Sequence, residues 1–164
     1  MKSGEDDKLR KKAVFWLARQ DSRETLEFLY EVIKIDRSNE IRENSIFWIS
    51  RMKTDGALEK LAEIARNSDD QTIQKKAIFW LAQKASQIST EVLEDVVYDE
   101  NTIEIQKQAV FALSRLADGD GIPGLIKIAQ DHPRVKIRKA AILLLGRSNN
   151  PRALDAIVDI IRKH

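Results

Sequence analysis

KKAVFWLARQ (residues 11–20), ENSIFWISRM (43–52), KKAIFWLAQK (75–84), KQAVFALSRL (107–116) and KAAILLLGRS (139–148) are five versions of one phrase, each starting 32 residues after the last. A fixed interval held five times without insertion marks an internal repeat and not a chance likeness. Small residues fill one column: Ala13, Ser45, Ala77, Ala109 and Ala141. Large aliphatic residues fill three others: Leu9, Ile41, Ile73, Ile105 and Ile137; Val14, Ile46, Ile78, Val110 and Ile142; Leu17, Ile49, Leu81, Leu113 and Leu145. These spacings lie along one side of a helix, here called helix A, over residues 8–20 of the first repeat. The small column lets neighbouring helices approach closely.

A second periodic segment follows each phrase. Leu29, Leu61, Leu93, Leu125 and Ile157 form one column, with Val32, Ile64, Val96, Ile128 and Ile160 three residues on. This is helix B. Ser22, Thr54, Asp118 and Asn150 stand where an N-cap belongs, and Pro151 suits a first helical position. The third repeat is less regular, and its pattern predicts Ser89 as the cap of a shorter helix. A helix–turn–helix unit of this size cannot bury its apolar side alone, whereas stacked units can. The expected fold is therefore all-α, a right-handed α-solenoid of five helical hairpins. The whole chain, 1–164, is expected to be one such domain, with repeats at roughly 7–38, 39–70, 71–102, 103–134 and 135–164. A closed bundle would not need identical spacing.

Composition agrees. Apolar residues make up 43% and charged residues 33%, while Pro (3) and Gly (6) are scarce, which suits long helices joined by short turns. A net charge of +2 gives no reason to expect nucleic acid or an anionic membrane as partner. The absence of cysteine excludes disulfides, thiolate metal sites and a Cys nucleophile. No apolar run approaches a membrane span, and the first residues, MKSGEDDKLRKK, lack an apolar signal core. Compartment stays open.

The last repeat, VKIRKAAILLLGRSNNPRALDAIVDII from Val135, resembles bacterial HEAT repeats of the phycobilin-lyase type. The shared features are the basic helix start at Arg138, the pair Ala140–Ala141, Leu145–Gly146, and the turn Pro151–Arg152–Ala153–Leu154. The first four repeats match more loosely. No lyase-specific residue carries over. The resemblance implies a HEAT-type solenoid with A helices on the convex side and B helices on the concave side.

Two columns depart from that family pattern. One holds Phe15, Phe47, Phe79, Phe111 and Leu143; the next holds Trp16, Trp48, Trp80, Ala112 and Leu144. At about 100° per residue, Trp16 flanks the buried side and Phe15 falls on the side of Lys11, Lys12 and Arg19. The tryptophans are expected in the core and the phenylalanines at least half exposed on the convex face. That stripe is either covered by Lys and Arg stems or a docking surface, and near-complete burial of Phe47 and Phe79 would rule docking out.

Charge is sorted by helix. The five A segments carry a net +13 and the five B segments −7. Glu27, Glu59, Glu91 and Asp155 form one acidic column, and Glu31, Glu63, Asp95 and Asp159 another four residues later on the same helix face. Either these are solvated surface or they line a groove for a basic partner. His132 and His164 have no companions at metal-ligand spacing and are expected to be plain surface residues. ADGDGIPG from Ala117 has neither the preceding strand nor the Lys-Ser/Thr pair of a phosphate loop, nor a full set of calcium ligands.

The expected function is a non-catalytic protein–protein interaction scaffold without cofactor or metal. Its partner is a protein or peptide with a basic surface, held on the concave acidic rows or on the convex aromatic and basic stripe. The alternative is nucleic acid along the basic outer face, as in HEAT-like DNA glycosylases. No membrane partner is expected. Neither terminal helix looks like a dedicated polar cap, which leads to the further expectation that the chain is part of a longer array or self-associates through its ends.

Overall fold

The computed structural model describes residues 3–84 and 86–163. Among them are ten α-helices and no strand: α1 (Ser3–Ala18), α2 (Arg23–Ile35), α3 (Asn39–Arg51), α4 (Ala57–Asn67), α5 (Gln71–Ala82), α6 (Gln87–Tyr98), α7 (Ile103–Ser114), α8 (Ile122–Asp131), α9 (Val135–Gly146) and α10 (Pro151–Lys163). Odd-numbered helices are the A helices of the sequence pattern and even-numbered ones the B helices. The chain divides into two compact units, Met1–Leu81 and Ala82–His164.

In the first unit α1 packs on α2 and α3, and α3 on α2 and α4. Leu29 and Leu61, with Ile41, Ile46, Ile49, Ile73, Ile78 and Leu81, form its fully buried interior. Ser45 is buried at its close-packed column, its hydroxyl donating to the Ile41 carbonyl. In the second unit α7 packs on α6, α8 and α9, and α10 on α8 and α9. Leu93, Val96, Ile105, Val110, Leu113, Leu125, Ile128, Ile137 and Leu145 fill its core. Each such side chain contributes roughly 1.5–3 kcal/mol on leaving water. The repeat columns lie mostly inside, with Val32, Ile142, Ile157 and Ile160 half-buried, and α1 departs furthest. There Val14 is buried, but Leu9 is 65% exposed and Ala13 is exposed, because among the described residues no helix covers that side of α1.

One polar side chain per repeat fixes how each B helix meets the next A helix. Arg42 Nε donates to the Ile33 carbonyl, Gln74 Nε2 to that of Ala65, and Gln106 Nε2 to that of Val97, each nine residues back. Arg138 reaches the His132 carbonyl from the same repeat position. The last carbonyls of a helix have no intrahelical donor, so these side chains satisfy groups that would otherwise be buried unpaired.

His132 belongs to this joint and is not a surface residue: it is 1% exposed. Its Nδ1 accepts the Arg134 backbone N–H at 3.1 Å, which places the ring proton on Nε2, 2.9 Å from the Val97 carbonyl that Gln106 also uses. His164 lies outside the described residues.

Several helix starts differ from the sequence pattern. Ser22 caps α2 by accepting the Thr25 N–H, and Asn150 accepts the Arg152 N–H just before Pro151. Thr54, however, is drawn away from α4: its hydroxyl donates to Asp21, whose carboxylate also takes the Lys53 and Thr54 N–H groups. Helix α4 starts instead after Gly56, at φ 90°. Asp118 sits in a 3-10 turn at φ 55°, and α8 begins after Gly121. Ser86, not Ser89, caps α6, which at 12 residues is longer than α4 and α8. A Cβ on Gly121 would lie 1.9 Å from the Leu113 carbonyl oxygen, a backbone atom that cannot swing aside.

Gly121→Ala is expected to lower unfolding free energy by about 1–3 kcal/mol in urea titrations, as overpacking does; an unchanged midpoint would show that α7 and α8 do not meet so closely. Asp70 yields a pH effect. Burial pushes its carboxyl up, but the Ile73 and Thr72 N–H groups and the Arg42 guanidinium outweigh that and hold it below the usual aspartate range. The resulting stability is complete above the unfolded value near pH 4 and is lost as pH falls further. Asp70→Ala should cost about 1 kcal/mol at pH 7 as a lost cap, and the difference should shrink below about pH 4. A difference that stays constant down the acid limb would contradict this assignment.

Candidate functional site

The A helices of the first unit carry an aromatic ladder on their surface. The Phe15 ring lies 5.2 Å from Trp16 and 5.4 Å from Trp48, centroid to centroid. Phe47 lies 4.9 Å from Trp48 and 5.2 Å from Trp80, and Phe79 lies 4.9 Å from Trp80. Every contact is edge-to-face, the arrangement that the ring quadrupoles favour. Each Phe therefore packs against its own Trp and, in the first two repeats, against the Trp of the next.

The tryptophans are not core residues. Trp16 is 62% exposed, and Trp48 and Trp80 are half-buried. An indole is too large for the seam that the Ser45 and Ala77 column closes, so it turns outward onto the preceding Phe. Trp16, against which no Phe of another repeat packs among the described residues, is the most open. The phenylalanines are less open than the half exposure expected of them: Phe15 is 37%, Phe79 43% and Phe111 46% exposed, and Phe47 is half-buried. Near-complete burial does not occur. The Arg19 guanidinium lies 5.9 Å from the Phe15 ring centre and 5.5 Å from Trp16. Phe111, in the second unit, has Arg115 beside it at 5.8 Å but no tryptophan, since Ala112 takes that place and is buried.

The B helices carry the carboxylates. In the first unit Glu27, Glu31, Glu59 and Glu63 are all exposed, and in the second so are Glu91, Asp95, Asp155 and Asp159. The rows are not uniform in charge. Lys60 pairs with Glu27 at 3.2 Å and Lys34 with Glu31 at 3.7 Å. Both ammonium groups lie about 4 Å from the ring centre of Tyr30, which is buried. Burial, and next the hydrogen bond to Glu63, push the Tyr30 hydroxyl well above its ordinary pKa. Tyr30, Lys34, Glu63, Arg42 and Asp70 line part of an open cleft of about 830 Å³. Gln87 donates to Glu91 at 2.9 Å in the second unit. Glu59, Asp155 and Asp159 carry no ion pair among the described residues.

Sequence reasoning missed Tyr30, Lys34 and Lys60 as a cluster, because the repeat puts Ala62, Glu94, Ile126 and Val158 at the tyrosine's position. It also missed the Arg42–Gln74–Gln106 column, which the 32-residue spacing alone could have found. Among the described residues no three His, Asp or Glu side chains are grouped to hold a metal ion. No helix there is long and apolar enough to cross a membrane.

A family model described as HEAT repeats matches residues 1–82 and 90–164, nearly the whole chain. The chain belongs to the HEAT-repeat family. HEAT repeats build helical solenoids that commonly act as protein-interaction scaffolds and are typically non-catalytic. No curated protein matches the chain. This HEAT-repeat protein has therefore to be read from its own surfaces.

A double-mutant cycle on Phe15 and Trp48 is expected to give a coupling of about 0.5–1.5 kcal/mol in favour of the native pair. Thermal unfolding of Phe15→Ala, Trp48→Ala and the double variant measures it; strict additivity would show that the ladder contact is stability-neutral.

Proposed function

We propose that this HEAT-repeat protein is a non-catalytic scaffold whose B helices present carboxylates to a basic protein or peptide. The observation that supports the reading most directly is the exposure of all eight row carboxylates, with Glu59, Asp155 and Asp159 in no ion pair among the described residues. Carboxylates at a four-residue spacing repel one another, so a cationic partner relieves a cost the free protein bears. Rigid helices hold the charges in place, which lowers the ordering cost of binding and speeds encounter. Lys34 and Lys60 do not cancel this charge: each is matched to one glutamate, and neither answers Glu59, Asp155 or Asp159.

Nucleic acid along the A helices is the competing reading, supported by their net +13. Against it, Lys11 is ion-paired to Glu40 and Lys76 to Glu43, so carboxylates interrupt the basic surface that a phosphate strand would follow.

A fluorescein-labelled Lys- and Arg-rich helical peptide serves as probe in anisotropy titrations of the full chain. Binding should weaken with salt, and by about tenfold when Glu59, Glu91 and Asp155 are changed to Lys together. These side chains are exposed, so circular dichroism should be unchanged. Unaltered affinity in the folded triple variant would refute the acidic-face reading. A steep, salt-dependent gel shift with random duplex DNA would favour the competing one.

A further inference from the structure

The aromatic ladder is a second surface, of opposite chemistry to the carboxylate rows. It contains all three tryptophans and three of the five phenylalanines of the chain. Its five ring contacts account for its order but do not cover it: Trp16, Phe15 and Phe79 remain exposed. Contiguous apolar surface of this kind, rimmed by charge, is uncommon where nothing docks. The rim is cationic. Arg51 follows Phe47 by four residues and Lys75 precedes Phe79 by four, so each shares a helix face with its ring, while Arg19, just past the end of α1, lies 5.9 Å from Phe15 and 5.5 Å from Trp16. None of the three is in an ion pair among the described residues.

The rings are engaged edge-to-face with one another, which leaves no parallel slot in which a nucleobase could stack. Glu40 and Glu43 beside Lys11 and Lys76 would repel an unbroken row of phosphates, whether of a nucleic acid or of lipid headgroups. A peptide does not present such a row. An acidic segment can set carboxylates on Arg19 and Arg51 in bidentate geometry and lay aliphatic or phenyl side chains against the exposed surfaces of Trp16, Phe15 and Phe79. We propose that the Phe15–Trp80 ladder is a docking surface for an acidic protein segment bearing large apolar side chains, a placement that rests on the scaffold reading but not on the acidic rows.

Because every tryptophan lies in the ladder, emission from the intact chain reports on this surface alone. The probe is a short synthetic peptide alternating Asp with Leu and Phe, free of Trp and Tyr. Controls are its Lys-for-Asp counterpart, oligo-deoxythymidine, and phosphatidylserine-containing vesicles. The expected result is a saturable blue shift with the acidic peptide, with Kd on the order of 10 μM. The paired reversal Arg19→Glu and Arg51→Glu should weaken it about tenfold without changing circular dichroism. The Glu59, Glu91 and Asp155 triple reversal should leave it intact, so failure of the carboxylate face and failure of the ladder are separable. No shift with the acidic peptide, an equal shift with its Lys counterpart, a tighter response to oligonucleotide or vesicle, or insensitivity to the arginine reversal would each overturn the proposal.

Discussion

The carbonyl groups at the C-terminal end of each B helix need donors that the helix cannot supply, and the side chain at a fixed position of the next A helix provides them. Arg42, Gln74 and Gln106 each reach back nine residues to do so. A slip of one residue between the helices would leave those carbonyls buried and unpaired, at a cost of roughly 1–3 kcal/mol each. Aliphatic columns pull the helices together, but apolar contact is non-directional and tolerates sliding. The donors supply the register. With register fixed, equivalent residues of successive repeats come to equivalent places, and surface rows follow without further instruction.

That dependence explains what was legible in the sequence. The repeat interval, the two helices per repeat and the buried columns are all consequences of one hydrophobic period, and Ile41, Ile73, Ile105 and Ile137 are all buried. The same period kept the phenylalanines off the buried columns, though Phe47 is half-buried and the others are less than half exposed. The tryptophans were not, because a helical wheel gives the direction of a side chain but not the width of the gap it points into. Trp48 and Ala112 have the same angle, yet alanine is buried and the indole is turned outward. Ser22 and Asn150 cap as their type suggests, but Thr54 does not, for a different reason. Thr54 is a good capping residue by type, but Asp21, in the previous turn, offers a stronger acceptor. His132 was misread because a lone histidine before a proline carries no periodic signal. Its burial comes from Gln106 and Arg134, which already converge on the same joint.

The candidate surfaces were legible as patterns of residue type and not as chemistry. Spacing put Glu27 and Glu31 on one helix face; it could not show that Lys60 and Lys34 answer them or that Tyr30 lies between those lysines. Likewise the Phe and Trp columns could be seen side by side, while the alternation that links one repeat to the next, Phe15 to Trp48 and Phe47 to Trp80, needs coordinates.

A structural account alone does not explain why the ladder stops. The second unit keeps Phe111 and its Arg115 but replaces the indole with Ala112, and its core is no less well filled: Ala109, Val110, Leu113 and Leu145 are all buried. Packing of the repeats therefore does not require the tryptophans. Each exposed indole adds apolar surface that favours association with anything greasy, a liability unless it has a use. Exposed carboxylates of the two rows, by contrast, occur in each unit, though Pro123 and Lys127 stand at those positions in the fourth repeat, and they make the surface more soluble wherever they occur. A feature that is costly and confined to one unit asks for a specific partner more strongly than one that is benign and repeated. On that ground the aromatic surface, and not the acidic one, is where selectivity between partners would reside: charge sets which sign of molecule approaches, while ring-to-ring spacing sets which side chains fit.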